Sequence, residues 1–114
     1  MRIAIVSDTH GNVANFKKVV RFLNKENIKI ILHCGDIGDP ESLEESLSDF
    51  SGELFGVLGN MDADYKILID NYNKIQKVNI VKNIFEKEID GKKVAFVHFP
   101  DIARKLAESG KYDI

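Results

Sequence analysis

Three short apolar stretches, each running into a polar loop that contains glycine, set the frame for this chain. Ile3, Ala4, Ile5 and Val6 form the first, residues 28–34 the second and residues 53–58 the third. Short, nearly continuous apolar runs are the pattern of strands buried on both faces. Between the first two, Val13, Phe16, Val19, Val20, Phe22 and Leu23 recur at three- and four-residue spacing, with Lys17, Lys18, Arg21 and Lys25 elsewhere on the wheel. This spacing predicts an amphipathic helix over residues 12–26. Strand, helix, strand then implies a right-handed parallel crossover, and so an α/β fold.

The pattern continues along the chain. Asp39 can cap a helix that has Pro40 at its first position and ends near residue 50. Residues 62–72 read as a short helix rich in Asn and Asp. Over residues 77–98 the period changes, with Val78, Ile80 and Ile84 alternating with polar residues. Residues 85–89, the turn Asp90-Gly91 and residues 94–97 then complete what reads as an antiparallel meander. A last helix over residues 100–109 places Ile102, Ala103, Leu106 and Ala107 on one face, with Gly110 as its C-terminal cap. Lys111, Tyr112, Asp113 and Ile114 look like the lead-in to another strand. No linker or repeat interrupts this order, so residues 1–114 are expected to form a single domain, short of its C-terminal strands.

Charge and composition narrow the function. The 16 Lys and Arg residues are interspersed with 18 Asp and Glu, which leaves no basic stripe to neutralise a nucleic-acid backbone. Residues 28–32 are the longest apolar run and are broken by Lys29, far short of the roughly 18 to 20 residues that span a bilayer. The N-terminus carries one charge and passes directly into Ser7-Asp8, unlike a signal peptide. Cys34 is the only cysteine, which excludes an intramolecular disulfide and suits a reducing, cytoplasmic setting.

The chemistry-bearing residues cluster at strand ends, where parallel α/β sheets place ligands. Asp8 and His10 follow the first strand in Ser7-Asp8-Thr9-His10-Gly11, offering a carboxylate and an imidazole to one divalent ion. Asp36 follows the second in His33-Cys34-Gly35-Asp36, and Asn60 the third in Leu58-Gly59-Asn60. Taken singly each has a plainer explanation: Asp8 as a helix cap, and Gly-Asp and Gly-Asn as turn formers. Three strand ends of one grammar are harder to ascribe to turns. His98 closes Phe96-Val97-His98-Phe99-Pro100; a lone His beside aromatics is more often structural than a ligand. His33 reads as a packing residue or a hydrogen-bonding partner of the site, and Cys34 as a small buried apolar residue.

The order Asp8-x-His10, Gly35-Asp36, Gly59-Asn60 and His98 resembles the calcineurin-like metallophosphoesterases, in particular their small single-domain prokaryotic phosphodiesterases. The resemblance implies a four-layer α/β/β/α sandwich with two divalent ions at the strand ends. Asp8, His10 and Asp36 would hold one ion; Asp36 as a bridge, Asn60 and His98 would hold the other, with Asp36, Asn60 and His98 serving catalysis. Mn²⁺ is the expected metal, with Ni²⁺, Fe or Zn²⁺ compatible with the donors. Two such ions about 3.5 to 4 Å apart can clamp a phosphate and activate water. The implied function is hydrolysis of phosphate esters; separately, strand edges left bare by the missing C-terminal strands predict a homo-oligomer.

Two features depart from the family pattern. Its closing Gly-His-x-His motif, which would supply an imidazole to each ion, is absent from this sequence. Met61 stands where many members carry a His that assists the leaving group, and Asp62 beside it reads equally well as a helix cap. The alternative function is therefore a catalytically impaired member used as a metal-binding or protein-interaction scaffold. A flavodoxin-like nucleotide binder is disfavoured, because Asp8, rather than a Gly-rich phosphate loop, follows the first strand.

Overall fold

The computed structural model describes residues 2–58 and 65–114, with backbone alone over 65–67. The helix expected over residues 62–72 therefore begins outside the described residues. Strands and helices alternate as β1 (Ala4–Val6), α1 (Val13–Lys25), β2 (Ile30–His33), α2 (Pro40–Ser46), β3 (Glu53–Val57), α3 (Tyr65–Asn73) and β4 (Val78–Val81). These four strands make one parallel sheet in the order β1-β2-β3-β4. Ala4 lies opposite Ile31, Ile31 opposite Leu54, and Leu54 opposite Val78. An antiparallel hairpin of β5 (Ile84–Ile89) and β6 (Lys92–Val97) follows, then α4 (Pro100–Glu108).

The expected meander over residues 77–98 is corrected here, because β4 joins the parallel sheet and only β5 and β6 are antiparallel. Val78 and Ile80 are buried while Asn79 is exposed. A strand at the edge of a parallel sheet with one face covered shows the same two-residue period as an antiparallel strand. Asn73 reinforces β4: its side chain accepts from the Ile80 amide at 2.8 Å and donates to the Ile80 carbonyl at 3.1 Å.

Four layers result. On one face of the parallel sheet Phe16, Val20, Leu23, Leu43 and Tyr72 from the helices meet Ile31, Leu54 and Ile80. On the other, Leu32, Phe55 and Val57 meet Phe85, Ile89, Val94 and Phe96 of the hairpin. Phe85 stacks on Phe96 with centroids 5.1 Å apart and meets Phe55 edge-on at 5.4 Å. Ala103, Leu106 and Ala107 of α4 share a cavity with Ala95 and Val97 of β6, so α4 forms the outer layer. Each fully buried Leu, Ile or Phe contributes roughly 1.5 to 3 kcal/mol, so this sandwich rests on its two apolar seams.

Element ends follow local chemistry. Asn12 caps α1 by accepting from the Asn15 amide at 3.2 Å, and Asp39 caps α2 by accepting from the Ser42 amide at 3.0 Å. α2 stops at Ser46, earlier than the expected residue 50. Ser46 and Ser48 hydroxyls donate to the Ser42 and Glu45 carbonyls, a bonding that competes with helix continuation. Val19 and Phe22, expected on the apolar face of α1, are 36% and 56% exposed. Asp90 and Gly91 both have positive φ, 51° and 77°, as a two-residue type I′ hairpin turn requires. The C-terminal tail returns to β6: Ile114 donates to the Lys93 carbonyl at 3.3 Å and accepts from the Ala95 amide at 3.1 Å. That pair of bonds is the parallel pattern, although residues 111–114 form no assigned strand.

Candidate metal centre

The polar loops after β1 and β2 run side by side beyond the sheet. Asp8, His10 and Gly11 amides donate to the Gly35, Asp36 and Ile37 carbonyls at 2.9, 2.9 and 3.0 Å, extending the strand pairing into the loops. Their close approach depends on glycine at Gly38, where an added Cβ would lie 2.3 Å from the Gly11 nitrogen. Tyr72, fully buried, donates its hydroxyl to the Gly38 carbonyl and holds this loop against α3. Thus the strand ends are fixed before any ligand is considered.

Within this frame three non-glycine residues take left-handed backbone conformations: Asp8 at φ 57°, His10 at φ 48° and Asp36 at φ 54°. Such conformations cost on the order of 1 kcal/mol or more each and cluster where the geometry serves a site. Here they turn three side chains to one point. Ligand atoms of Asp8, His10 and Asp36 all lie within 4.8 Å of one another. His10 Nε2 is 3.5 Å from Asp8 Oδ1.

Two carboxylates, those of Asp8 and Asp36, meet at this point. The Ser7 hydroxyl donates to Asp8 Oδ2 at 2.6 Å and is the main reason that the Asp8 carboxyl is held below its ordinary range, followed by contact with Asp36. Two carboxylates in contact repel unless a proton or a metal ion lies between them. Asp36 is 4% exposed, so little bulk water reaches this contact.

His98 enters from the opposite sheet. Its Nδ1 lies 2.8 Å from the Cys34 carbonyl, and because a carbonyl only accepts, Nδ1 carries the proton. Nε2 is left facing Asp36 Oδ2 at 3.6 Å. Metal-binding histidines commonly have their second nitrogen anchored to a carbonyl in this way. Asn60, Met61 and Asp62 lie outside the described residues. The carboxylates of Asp8 and Asp36 with the imidazoles of His10 and His98 form a mixed oxygen and nitrogen donor set, which fits a divalent transition ion.

His33 is not among the clustered ligand residues. It is fully buried, packs near Phe16 at 6.1 Å between centroids, and bonds Thr9 Oγ1 at 3.0 Å. Burial lowers its imidazole to about 4, so it stays neutral at pH 7. Sequence reasoning marked His33 as a partner of the site but passed over Thr9, Ser7 and Gly38. Gly38 was detectable as a second glycine shortly after Gly35-Asp36, whereas Thr9 showed no signal of its own.

Comparison with known proteins agrees with this geometry. The family model described as the calcineurin-like phosphoesterase superfamily domain matches residues 1–114. The phosphodiesterase MJ0936 of Methanocaldococcus jannaschii is 28% identical over 116 residues, covering 100% of this chain and 69% of that protein. From the same organism, the protein named "Probable metallophosphoesterase MJ0623" is 41% identical over 64 residues, covering 54% of this chain and 32% of its own length. A solved structure described as a novel archaeal phosphodiesterase superposes with a TM-score of 0.86 at 27% identity, over 99% of this chain and 69% of that one. With the whole of residues 1–114 matched and the four-layer fold shared, the chain belongs to the calcineurin-like phosphoesterase superfamily, a hydrolytic family that uses divalent metals.

Proposed function

We propose that this chain is a metal-dependent phosphodiesterase whose residues 1–114 act as one domain in the cytoplasm. The observation that carries the reading is the convergence of Asp8, His10 and Asp36 ligand atoms within 4.8 Å on left-handed loop residues. Asp8, His10 and Asp36 would hold one ion, and Asp36, Asn60 and His98 a second, with Mn²⁺ the preferred metal. When bound, a pair of divalent ions neutralises phosphate charge and activates water.

The protein's own groups supply position and charge. Asp36 is nine-tenths or more buried and can offer one carboxylate oxygen to each side of the site. Its loop is held by the bonds from Asp8, His10 and Gly11 to residues 35–37, so the backbone that carries a carboxylate able to serve both ions would have little freedom to relax. Cys34 fixes the His98 ring with Nε2 toward the same point. Neutral Asn60 would add an oxygen donor without negative charge that repels the substrate.

Hydrolysis of bis-p-nitrophenyl phosphate tests the proposal. Turnover should require added Mn²⁺ or a comparable divalent ion, and Asp36→Asn should lower it by on the order of a hundredfold or more. Metal-independent turnover, or an Asp36→Asn variant as active as the parent, contradicts it.

A further inference from the structure

One polar chain ties the two metal-ligand loops together from below. Thr9 stands between Asp8 and His10, while Gly35 and Ile37 stand on either side of Asp36. The Gly35 amide donates to His33 Nδ1 at 3.1 Å. The Thr9 hydroxyl donates to the Ile37 carbonyl at 2.9 Å, and Thr9 Oγ1 lies 3.0 Å from His33 Nε2.

Two independent constraints set the proton positions. An amide can only donate, so Nδ1 of His33 is the acceptor and Nε2 carries the hydrogen. The Ile37 carbonyl can only accept, so the Thr9 hydrogen is committed there and Thr9 Oγ1 must accept from His33. The relay therefore runs one way, from Gly35 through His33 and Thr9 to Ile37. It joins the residue between the ligands of the first loop to both neighbours of the ligand in the second.

We infer that Thr9 and His33 are positioning residues, a buried relay that holds the Asp8–His10 loop in register with Asp36 so that the metal donors converge before metal binds. The inference rests on the metal-site reading proposed above. Backbone pairing aligns the loops along one line; the relay braces them from the core side, where His33 is sealed from water. Without the Thr9 hydroxyl, the bond to Ile37 is lost and the His33 hydrogen is left without its acceptor. The left-handed Asp8 and His10 can then relax, and ordering them becomes part of the cost of binding metal.

Mn²⁺ titration of the full chain, followed by the electron paramagnetic resonance of free Mn²⁺, tests this with Thr9→Val, Thr9→Ser and Asp36→Asn. Thr9→Val should weaken Mn²⁺ binding by about ten- to a hundredfold, as loss of groups that orient metal ligands commonly does. Thr9→Ser, which keeps the hydroxyl, should stay within about threefold of the parent. Long-range proton–nitrogen spectra of the metal-free parent should show His33 protonated at Nε2. If Thr9→Val does not fold, the double variant Thr9→Val/His33→Phe, which removes both side-chain ends of the bond, should fold and show the same weakening.

A Thr9→Val chain that melts at lower temperature yet binds Mn²⁺ as tightly as the parent would make the relay a structural brace alone and overturn the inference. So would an Nδ1-protonated His33. Failure of the underlying reading gives a different result: the parent itself would bind no Mn²⁺, or Asp36→Asn would bind as the parent does.

Discussion

Acid should weaken this fold through His33 before it reaches most carboxylates. The ring is fully buried, and burial pulls it from an ordinary 6.5 down to about 4. Between those values the unfolded chain protonates His33 while the folded chain holds it neutral, so the unfolded state binds the extra proton and stability rises with pH. The contribution is complete above the unfolded value of 6.5 and is lost progressively as pH falls toward the folded value of about 4. Linkage between the two values gives a loss of about 1.4 kcal/mol at about pH 5.5 and about 3 kcal/mol at about pH 4. Asp39, held low by the Ser42 hydroxyl and amide, acts below this window, since its ordinary value is 3.8. Urea unfolding of the metal-free chain at about pH 7.5, 5.5 and 4, beside His33→Gln, measures the effect. The parent should lose stability across the window and His33→Gln should lose much less. A His33 ring that titrates near 6.5 in the folded protein, or an equal acid slope in His33→Gln, would refute the reasoning.

Gly38→Ala should cost about 3 kcal/mol or more in thermal or urea unfolding, because its φ is 101° and the new methyl would meet the Gly11 backbone. Gly91→Ala, at φ 77° with open space around it, should cost only about 1 kcal/mol by the same measurement. Asn73→Ala should lose about 1 to 3 kcal/mol by removing both side-chain bonds to Ile80, and faster amide exchange at Ile80 would localise the loss. Ile5, Phe22 and Ile114 are 62%, 56% and 63% exposed and β1 lies at a sheet edge, so the chain should self-associate. A monomer by light scattering would contradict that.

Much of the parallel core was legible because its chemistry is local. Ile3 to Val6 and Ile28 to Cys34 carry strand signals on their own, and the periodic Phe16, Val20 and Leu23 mark the helix between them. Asp8, His10 and Asp36 were readable for the same reason: each immediately follows a strand, and the sheet brings strand ends together. The edge strand β4 was misassigned because exposed Asn79 between buried Val78 and Ile80 looks alike in either kind of sheet. Thr9 escaped notice for a different reason. Its meaning lies in partners 24 and 28 residues away, and nothing within the short loop announces them.

Metal stoichiometry tests the central claim most directly. Equilibrium dialysis of the chain against Mn²⁺, with elemental analysis of the protein compartment, counts bound ions without requiring turnover. The parent should retain Mn²⁺, Asp8→Asn should reduce the amount, and Asp36→Asn should reduce it most, because the buried Asp36 contacts both Asp8 and the His98 side of the site. Retention equal to the parent in Asp36→Asn, or no Mn²⁺ held by the folded parent at all, would contradict a metal centre built on these strand ends.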